Sequence, residues 1–274
     1  MDLKNSTKLG QATEYPDQYD PAQLTPIARS HNREKLGIDQ TLPFVGEDLW
    51  NAYELSWLNA RGKPQVAVGV FRISCDSRNI VESKSFKLYL NSFNQTRFSS
   101  PDEVSQTMQK DLEKAVNGDV QVEVVSVTDW QDEPSSWLQA TCLDDLDIEC
   151  SIYTPDSKLI TLEKSQEVVT ETLSSHLLKS NCPVTGQPDW ATVYIRYTGP
   201  KIERAGLLRY IVSMRGHQDF HEHCVESIFS AVMAECEPEK LAVYARYTRR
   251  GGLDINPIRA NYPVRADNFK LARQ

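Results

Sequence analysis

The sequence predicts a protein of mixed strands and helices in which one order of elements occurs twice. In several short segments apolar residues alternate with other residues, which is typical of half-buried strands. In two longer segments they recur every three to four residues, which is typical of helices. Strand, strand, helix and strand therefore follow one another in each half of the 274-residue chain. The residue identities of the two halves barely match, so only the order of elements repeats.

A proline-rich segment, residues 1–45, precedes the first half. Its prolines include Pro16, Pro21, Pro26 and Pro43. Because proline interrupts helices, this segment is predicted to be an extended arm. Tyr15, Tyr19 and Leu24 are available to pin it to the rest of the protein.

The first half contains three predicted strands, at residues 66–70, 85–90 and 120–127. A helix is predicted between the last two strands. Ser100 and Glu103 have the spacing of a capping box, in which the serine side chain accepts a hydrogen bond from the third residue of the helix. Apolar residues then follow at helical spacing.

The second half shows strands at residues 193–197, 207–214 and 241–247. A helix is predicted to begin near Asp219, whose side chain can cap it. The link between the halves contains a predicted amphipathic helix at residues 167–178.

Composition restricts the function. The net charge of −8 argues against binding of nucleic acid, which usually requires a basic protein. No apolar run approaches the roughly 20 residues that span a bilayer, and the polar N-terminus lacks a secretory signal. Six cysteines without a Cys-x-x-Cys spacing indicate reduced thiols in a cytoplasmic protein.

Cys182 and Asp189 form the strongest candidate for chemistry. Pro183, Gly186 and Pro188 restrict the loop that joins them, which suits a reactive cysteine; the alternative is a thiol buried as a small apolar side chain. A reactive thiol needs a general base or a cation nearby. Asp189 is far enough along the loop to face the thiol, where it could donate or accept a proton.

His221 and Glu222 open the predicted second-half helix. The carboxylate of Glu222 could pair with adjacent N–H donors of a guanine-like ring; the alternative is a capping glutamate. His223 and Cys224 extend a possible metal cluster, but nothing elsewhere completes a zinc ligand set, so no metal is predicted.

Two basic segments could bind an anionic ligand. Lys84 and Lys87 would lie on opposite faces of a regular strand, so that one could reach a pocket. Four arginines surround the pair Gly251 and Gly252, and they are Arg246, Arg249, Arg250 and Arg259. The sequence contains no Gly-x-Gly-x-x-Gly segment, so a dinucleotide would not use the usual strand-turn-helix cradle.

Several of these segments match one family. Residues 82–90 resemble the signature of the NADPH-dependent 7-cyano-7-deazaguanine reductases, the nitrile reductases of queuosine biosynthesis. The loop from Cys182 to Asp189 resembles their catalytic loop. His221-Glu222 and Arg250-Gly251 fall where that family has substrate and cofactor contacts. The resemblance extends over essentially the whole chain.

The resemblance implies an α+β fold of two tandem tunnelling-fold units, with antiparallel sheets and helices on one side. The expected domains are an extended arm at 1–45, a first unit with the signature at 46–150, and a second unit with the catalytic loop at 151–274. Because such units assemble into barrels, a homodimer is also implied.

The resemblance further implies the reaction: NADPH reduces the nitrile of 7-cyano-7-deazaguanine to a primary amine, with the Cys182 thiolate forming a thioimide and Asp189 donating a proton. The residues expected to bind the substrate are Val81, Glu82, Ser83, His221 and Glu222. Those expected to bind NADPH are Ser83, Lys84, Arg250 and Gly251.

The residues alone are also compatible with three other functions. Cys182, a histidine and Asp189 would also suit a cysteine hydrolase. A zinc cyclohydrolase of the same fold would need a metal. A purine- or pterin-binding module without catalysis would bind its ligand and leave NADPH unconsumed.

Overall fold

A computed structural model describes residues 15–39, 41–165 and 167–274, and residues 1–14 of the predicted arm lie outside this range. The chain divides into two compact units. Among the described residues, unit 1 consists of 15–34, 48–132 and 249–255. Unit 2 consists of 35–39, 41–47, 133–165, 167–248 and 256–274. Each unit therefore contains segments from both halves of the sequence.

The described strands are β1 (Pro26–Ala28), β2 (Val45–Leu58), β3 (Pro64–Ser74), β4 (Asn79–Val81), β5 (Val120–Ser126), β6 (Thr141–Cys142), β7 (Val168–Asn181), β8 (Pro188–Pro200), β9 (Lys240–Tyr247) and β10 (Leu253–Ala260). The α-helices are α1 (Ser30–Lys35), α2 (Ser83–Asn91), α3 (Pro101–Val116), α4 (Arg204–Ser213) and α5 (His221–Cys236). No helix among the described residues is long and apolar enough to cross a membrane.

Unit 1 is built on the neighbouring strands β5, β3 and β2. A second, two-stranded sheet pairs β1 with β4 in antiparallel register. Helix α3 begins as predicted: Ser100 accepts a hydrogen bond from the backbone N–H of Glu103, and the Glu103 carboxylate accepts from Ser99. The buried residues of this helix are Val104, Met108, Leu112 and Val116. Its apolar stripe packs into the core of the unit.

The arm is ordered in the part that the structure describes. The Tyr19 hydroxyl donates a hydrogen bond to Asp111, and its ring meets those of Phe93 and Phe98 edge-on. Leu24 packs against the core, whereas Tyr15 is exposed. The segment also contains the short helix α1, which the prediction of an extended arm omitted.

The predicted strand at residues 85–90 is wrong, because this segment is part of helix α2. Glu82 caps the helix by accepting hydrogen bonds from the backbone N–H groups of Lys84 and Ser85. Phe86, Tyr89 and Leu90 are buried, which is the spacing of one helix face. The alternation of Phe, Leu and Leu at 86, 88 and 90 fits a strand equally well, which explains the error.

Two predictions in the second half are wrong for related reasons. Residues 207–214 lie in α4 and the short 3₁₀ turn that follows it, and Glu203 caps α4 through the N–H groups of Ala205 and Gly206. A continuous apolar run cannot distinguish a buried helix from a strand. Of the residues 167–178 predicted as a helix, 168–178 belong to β7, which is rich in valine and threonine at its start.

Unit 2 is built on the strand order β10, β9, β8, β7, β6. The long hairpin of β7 and β8 is antiparallel, and β9 pairs antiparallel with β8. Among the described strands of this unit, β6 alone is parallel to its neighbour. Contacts with β9 place helix α5 on this sheet. The predicted α+β class, with mainly antiparallel sheets and helices packed on one side, is confirmed.

The cap of helix α5 lies one residue later than predicted. Its N-cap is Phe220, which provides no side-chain hydrogen bond. Asp219 instead accepts hydrogen bonds from the N–H of Phe220 and from His223. The predicted apolar stripe is confirmed, since Cys224, Ile228, Val232 and Cys236 are buried.

Candidate active site

Cys182 lies at the closed end of the β7–β8 hairpin. Its backbone N–H donates to the Gln187 carbonyl at 2.9 Å, and its carbonyl accepts from Gly186 at 2.9 Å. Gly186 has φ of 70°, a left-handed conformation that glycine adopts without steric cost. These bonds extend the strand ladder by one residue beyond the pair Asn181 and Pro188, so the position of Cys182 follows the geometry of the strand.

The register places Cys182 and Asp189 on the same face of the sheet. Ser180 and Asp189 are directly opposite each other, and opposed residues of an antiparallel pair point to the same face. Cys182 follows Ser180 by two residues, so it shares that face. By the same rule Ala191 and its partner Tyr247 lie on this face too.

Helix α5 brings a histidine to the same face. The His221 ring stacks on the Tyr247 ring, with centroids 3.6 Å apart and planes 3° from parallel. Its Nε2 lies 3.5 Å from a carboxylate oxygen of Asp189. Among the described residues, Nδ1 of His221 is buried and has no hydrogen-bond partner. One ring nitrogen of His221 is thus directed to Asp189, and the other can serve a ligand.

A second thiol, that of Cys224, is buried near Asp189. Cys224 of α5 neighbours the hydroxyl groups of Ser180 and Tyr247. Burial raises the pKa of the Cys224 thiol to about 12 and that of the Tyr247 hydroxyl well above its usual value. Both groups are therefore neutral at physiological pH.

Glu222 occupies the first turn of α5 and is 2% exposed. The unpaired N–H groups and the helix dipole at this end stabilise a carboxylate. The N-cap of α5, Phe220, provides no side-chain hydrogen bond, so Glu222 is not part of a reciprocal capping box.

The residues predicted from the signature lie in unit 1. Val81 ends β4, and Glu82 links it to α2. Glu82 is 1% exposed, and its two oxygens accept the capping bonds at 2.7 and 2.8 Å. Glu82, the first residue of the signature, therefore has a structural role as the cap of α2.

The helix changes the prediction for the two lysines. Residues three apart in a helix lie on one face, so Lys84 and Lys87 share a face of α2, and their predicted placement on opposite faces is wrong. A Cβ atom built on Gly251 would lie 3.0 Å from Nζ of Lys87. Lys87 thus lies beside the glycine turn, which the sequence analysis did not predict.

The turn at 250–253 is closed by a hydrogen bond from the N–H of Arg250 to the carbonyl of Leu253. Gly251 and Gly252 have φ of 58° and 71°, as a two-residue turn with left-handed central residues requires. A cavity of about 240 Å³ lies here, and its lining includes Lys87, Glu54 and both glycines.

The predicted group of four arginines does not act as one basic cluster. Arg259 is buried in unit 2 and donates two hydrogen bonds to Glu226. Arg246, also buried in unit 2, donates to Tyr244 and Gln274. Arg249, in unit 1, lies over the Tyr53 ring. Arg250 is the half-buried arginine next to the glycines.

The predicted site residues thus form two groups. In unit 2 the structure brings together Asp189 and His221 and places Cys182 on the same face. In unit 1 it brings Lys87 to Gly251. Sequence reasoning missed Ser180 and Tyr247, and it named Lys87 without predicting its contact with the glycine turn. Tyr247 gave no signal because its contact with His221 joins residues 26 positions apart in the chain.

Two family models match the chain. The model described as nitrile reductase, 7-cyano-7-deazaguanine-reductase N-term, matches residues 15–124. The model described as QueF-like protein matches residues 188–265. The second match includes Asp189, His221, Glu222 and the glycine turn.

Curated relatives resemble the chain over its full length. A protein of Hahella chejuensis named NADPH-dependent 7-cyano-7-deazaguanine reductase is 66% identical and covers 100% of both chains. Proteins with the same name from Burkholderia multivorans and Cupriavidus metallidurans are 56% and 54% identical, covering 97% and 100% of each chain. A solved structure, the apo form of an archaeosine synthase QueF-Like, covers 37% of this chain at 20% identity with a TM-score of 0.32, which is too low to support an inference.

Proposed function

Because the chain belongs to the family of NADPH-dependent 7-cyano-7-deazaguanine reductases, we propose that Cys182 and Asp189 carry out the reduction of a nitrile group. The protein is an oxidoreductase that uses NADPH and converts 7-cyano-7-deazaguanine to the primary amine, a step of queuosine biosynthesis. One observation supports this assignment of residues. Cys182 and Asp189 lie at the end of one hairpin and share the face to which helix α5 brings His221.

Cys182 is the nucleophile. The thiol proton passes to Asp189 as the sulfur adds to the electrophilic nitrile carbon, a C–S bond forms while one C–N π bond breaks, and Asp189 passes the proton on to the nitrogen. The product is a thioimide that contains all atoms of the thiol and the nitrile. The strand ladder around Cys182 fixes the thiol relative to Asp189, so that the reaction gains from proximity.

Asp189 donates the proton, and His221 supports it. With Nε2 3.5 Å from the carboxylate, His221 can return a proton to Asp189 after the first transfer. The flat stack on Tyr247 holds the imidazole in this orientation. When the carbon has been reduced, the sulfur leaves as thiolate and the imine that remains is reduced to the amine.

In unit 2, Glu222 is the proposed contact to the substrate, with His221 next to it. A carboxylate accepts two adjacent N–H donors of a guanine-like ring, and the buried first turn of α5 favours such a carboxylate at Glu222. In unit 1, the proposed contacts are Glu82 and its neighbours Val81 and Ser83.

NADPH, when bound, supplies the two hydrides that the four-electron change from nitrile to amine requires. The residues of unit 1 fit its anionic groups. Lys84 and Lys87 share one helix face, and Arg250 and Gly251 lie on the adjacent glycine turn beside Lys87. Cations of this kind bind phosphate groups, and glycine permits a close approach to the backbone. Ser83 opens the same helix.

NADPH consumption tests the reaction. The account predicts two NADPH oxidised for each amine formed from 7-cyano-7-deazaguanine, with stoichiometry from absorbance and mass spectrometry of the product. A cysteine hydrolase would release a carboxylic acid without consuming NADPH, and a binding module would form no product. Either outcome would contradict the proposed function.

A further inference from the structure

A second cluster of potential metal ligands lies in unit 2, apart from the residues discussed so far. It consists of Cys142, Asp144 and His176, whose ligand atoms all lie within 4.8 Å of one another. Cys142 and His176 are exposed, and Asp144 is half-buried. From this cluster the geometry points to a Zn²⁺ site that links the β6 segment to strand β7.

The backbone sets the positions of the ligands. Cys142 pairs with Ser174 in the short parallel contact of β6 and β7. The N–H of Leu143 donates to the Ser174 carbonyl, which fixes the chain between the first two ligands. His176 follows in β7, where the register with β8 shifts between Ser175 and Leu178. Because of this irregularity, the side chain of His176 does not follow the alternation of a regular strand.

The side chains around the ligands are those that a metal site requires. Nδ1 of His176 lies 2.8 Å from the hydroxyl of Thr192, which can hold the imidazole with Nε2 as the free ligand atom. Asp144 accepts hydrogen bonds from the Ser175 hydroxyl at 2.6 Å and from the His176 N–H at 2.9 Å. Partners of this kind orient metal ligands and tune their basicity.

The ligand types indicate zinc. A thiolate, an imidazole and a carboxylate are all ligands of Zn²⁺, with metal–ligand bonds of about 2.0–2.3 Å. In a tetrahedral site such ligand atoms are about 3.3–3.8 Å apart, so closing the cluster on the ion shortens each separation by at most about 1.5 Å. Thiolate and carboxylate together carry two negative charges, which match the charge of the ion. Water can fill the fourth position.

His176 lies on the face of the sheet opposite to the proposed catalytic one. Thr192 is adjacent to Ala191 in β8, so its side chain points to the face opposite to that of Ala191, Asp189 and Tyr247. His176 contacts Thr192 and therefore belongs to this opposite face. The site would stabilise the edge strand β6, which pairs with β7 at only two positions. It does not depend on the proposed nitrile chemistry.

Metal titration of the full chain tests the site. All proteins carry Cys182→Ala, which removes the proposed catalytic thiol as a competing ligand, and a reductant prevents disulfides. We expect one equivalent of Zn²⁺ by calorimetry, and a thiolate-to-cobalt charge-transfer band when Co²⁺ is used instead. Adding Cys142→Ser should abolish the band. Cys142→Ser and His176→Gln should each weaken zinc binding at least about 100-fold, which is more than the loss of a residue that only hydrogen-bonds to a metal ligand.

Two further variants separate ligands from general effects. Thr192→Val keeps the side-chain shape but removes the hydroxyl that contacts His176. It should weaken zinc binding about 10- to 100-fold, as the loss of a hydrogen bond to a metal ligand does. Cys150→Ser removes a thiol outside the cluster and should leave binding unchanged. The proposal is overturned if no stoichiometric zinc binds, or if binding is the same in Cys142→Ser, His176→Gln and the parent protein.

Discussion

Cys182 illustrates how a residue can be buried and still have a chemical role. It is only 5% exposed, which alone would suggest a packed thiol. Its position at the end of a hairpin, on the face that carries Asp189 and His221, is what favours reaction with a substrate. The loop residues Pro183, Gly186 and Pro188 predicted a restricted turn, and this part of the site could be anticipated from sequence.

Glu222 provides a prediction for substrate binding. Replacing it in Glu222→Leu removes a charge-assisted contact worth about 1.5–3 kcal/mol, so 7-cyano-7-deazaguanine should bind about 10- to 100-fold more weakly. Calorimetry with the nitrile in the absence of NADPH measures this directly.

The last turn of the same helix offers a matched control. Glu235 pairs with Ser157 and Lys158, far from the first turn, and Glu235→Gln should retain the affinity of the wild type. Equal affinities for Glu222→Leu and the wild type would rule out Glu222 as the anchor.

At the scale of elements, each unit has a helix whose start is capped by a glutamate side chain. Glu82 caps α2, and Glu203 caps α4, each through the second and third residues after the cap. Loss of a cap costs about 0.5–2 kcal/mol. Glu82→Ala and Glu203→Ala should therefore lower the free energy of unfolding to a similar extent.

Only one of these two caps is proposed to bind substrate. Glu82→Ala should also weaken binding of the nitrile, whereas Glu203→Ala should leave it unchanged. Denaturant unfolding and calorimetry on both variants distinguish the two effects. If the two variants bind the nitrile equally well, Glu82 is a structural cap and no more.

The segment between α4 and α5 carries a prediction for pH. Burial lowers the pKa of His217, with His223 and Lys35 acting in the same direction and Asp219 opposing them. The unfolded chain therefore binds this proton more readily, and the stabilising contribution of neutral His217 is present above about pH 6.5 and lost as the pH falls below it.

The His217→Gln variant removes this dependence. Its free energy of unfolding should fall less steeply between about pH 6.5 and 5 than that of the wild type. Urea unfolding across this range measures both slopes, and identical slopes would show that His217 does not contribute.

The elements that sequence predicted correctly are those with an unambiguous period or cap. Helix α3 has both, and its start at Ser100 was predicted to the residue. Helices α2 and α4 were mistaken for strands because their apolar residues fit both periods and because glutamate caps were not considered. The long strand β2 was missed, although it contributes Trp50 and Leu55 to the core of unit 1.

At the scale of the whole molecule, the corrected order of elements repeats more completely than the predicted one. Apart from the short strand β4, each half shows two strands, two helices and a strand: β2, β3, α2, α3 and β5, then β7, β8, α4, α5 and β9. The division into one unit at residues 46–150 and one at 151–274 stays a prediction. The homodimer, the cytoplasmic location and the absence of nucleic-acid and membrane partners stay predictions.

The site could be predicted from sequence only as far as neighbours along the chain define it. Cys182 and Asp189 share one loop, and Glu82 to Lys84 share one turn. The contacts of His221 with Tyr247 and of Lys87 with Gly251 depend on how distant segments pack. No local pattern encodes such contacts, so they had to come from the structure.

The most direct test of the account is the intact mass of the protein after incubation with 7-cyano-7-deazaguanine without NADPH. A thioimide adds the whole nitrile, so the mass should rise by one substrate molecule in the wild type. The rise should be absent in Cys182→Ala and retained in Cys150→Ser. An adduct of the same mass on Cys182→Ala would contradict the account.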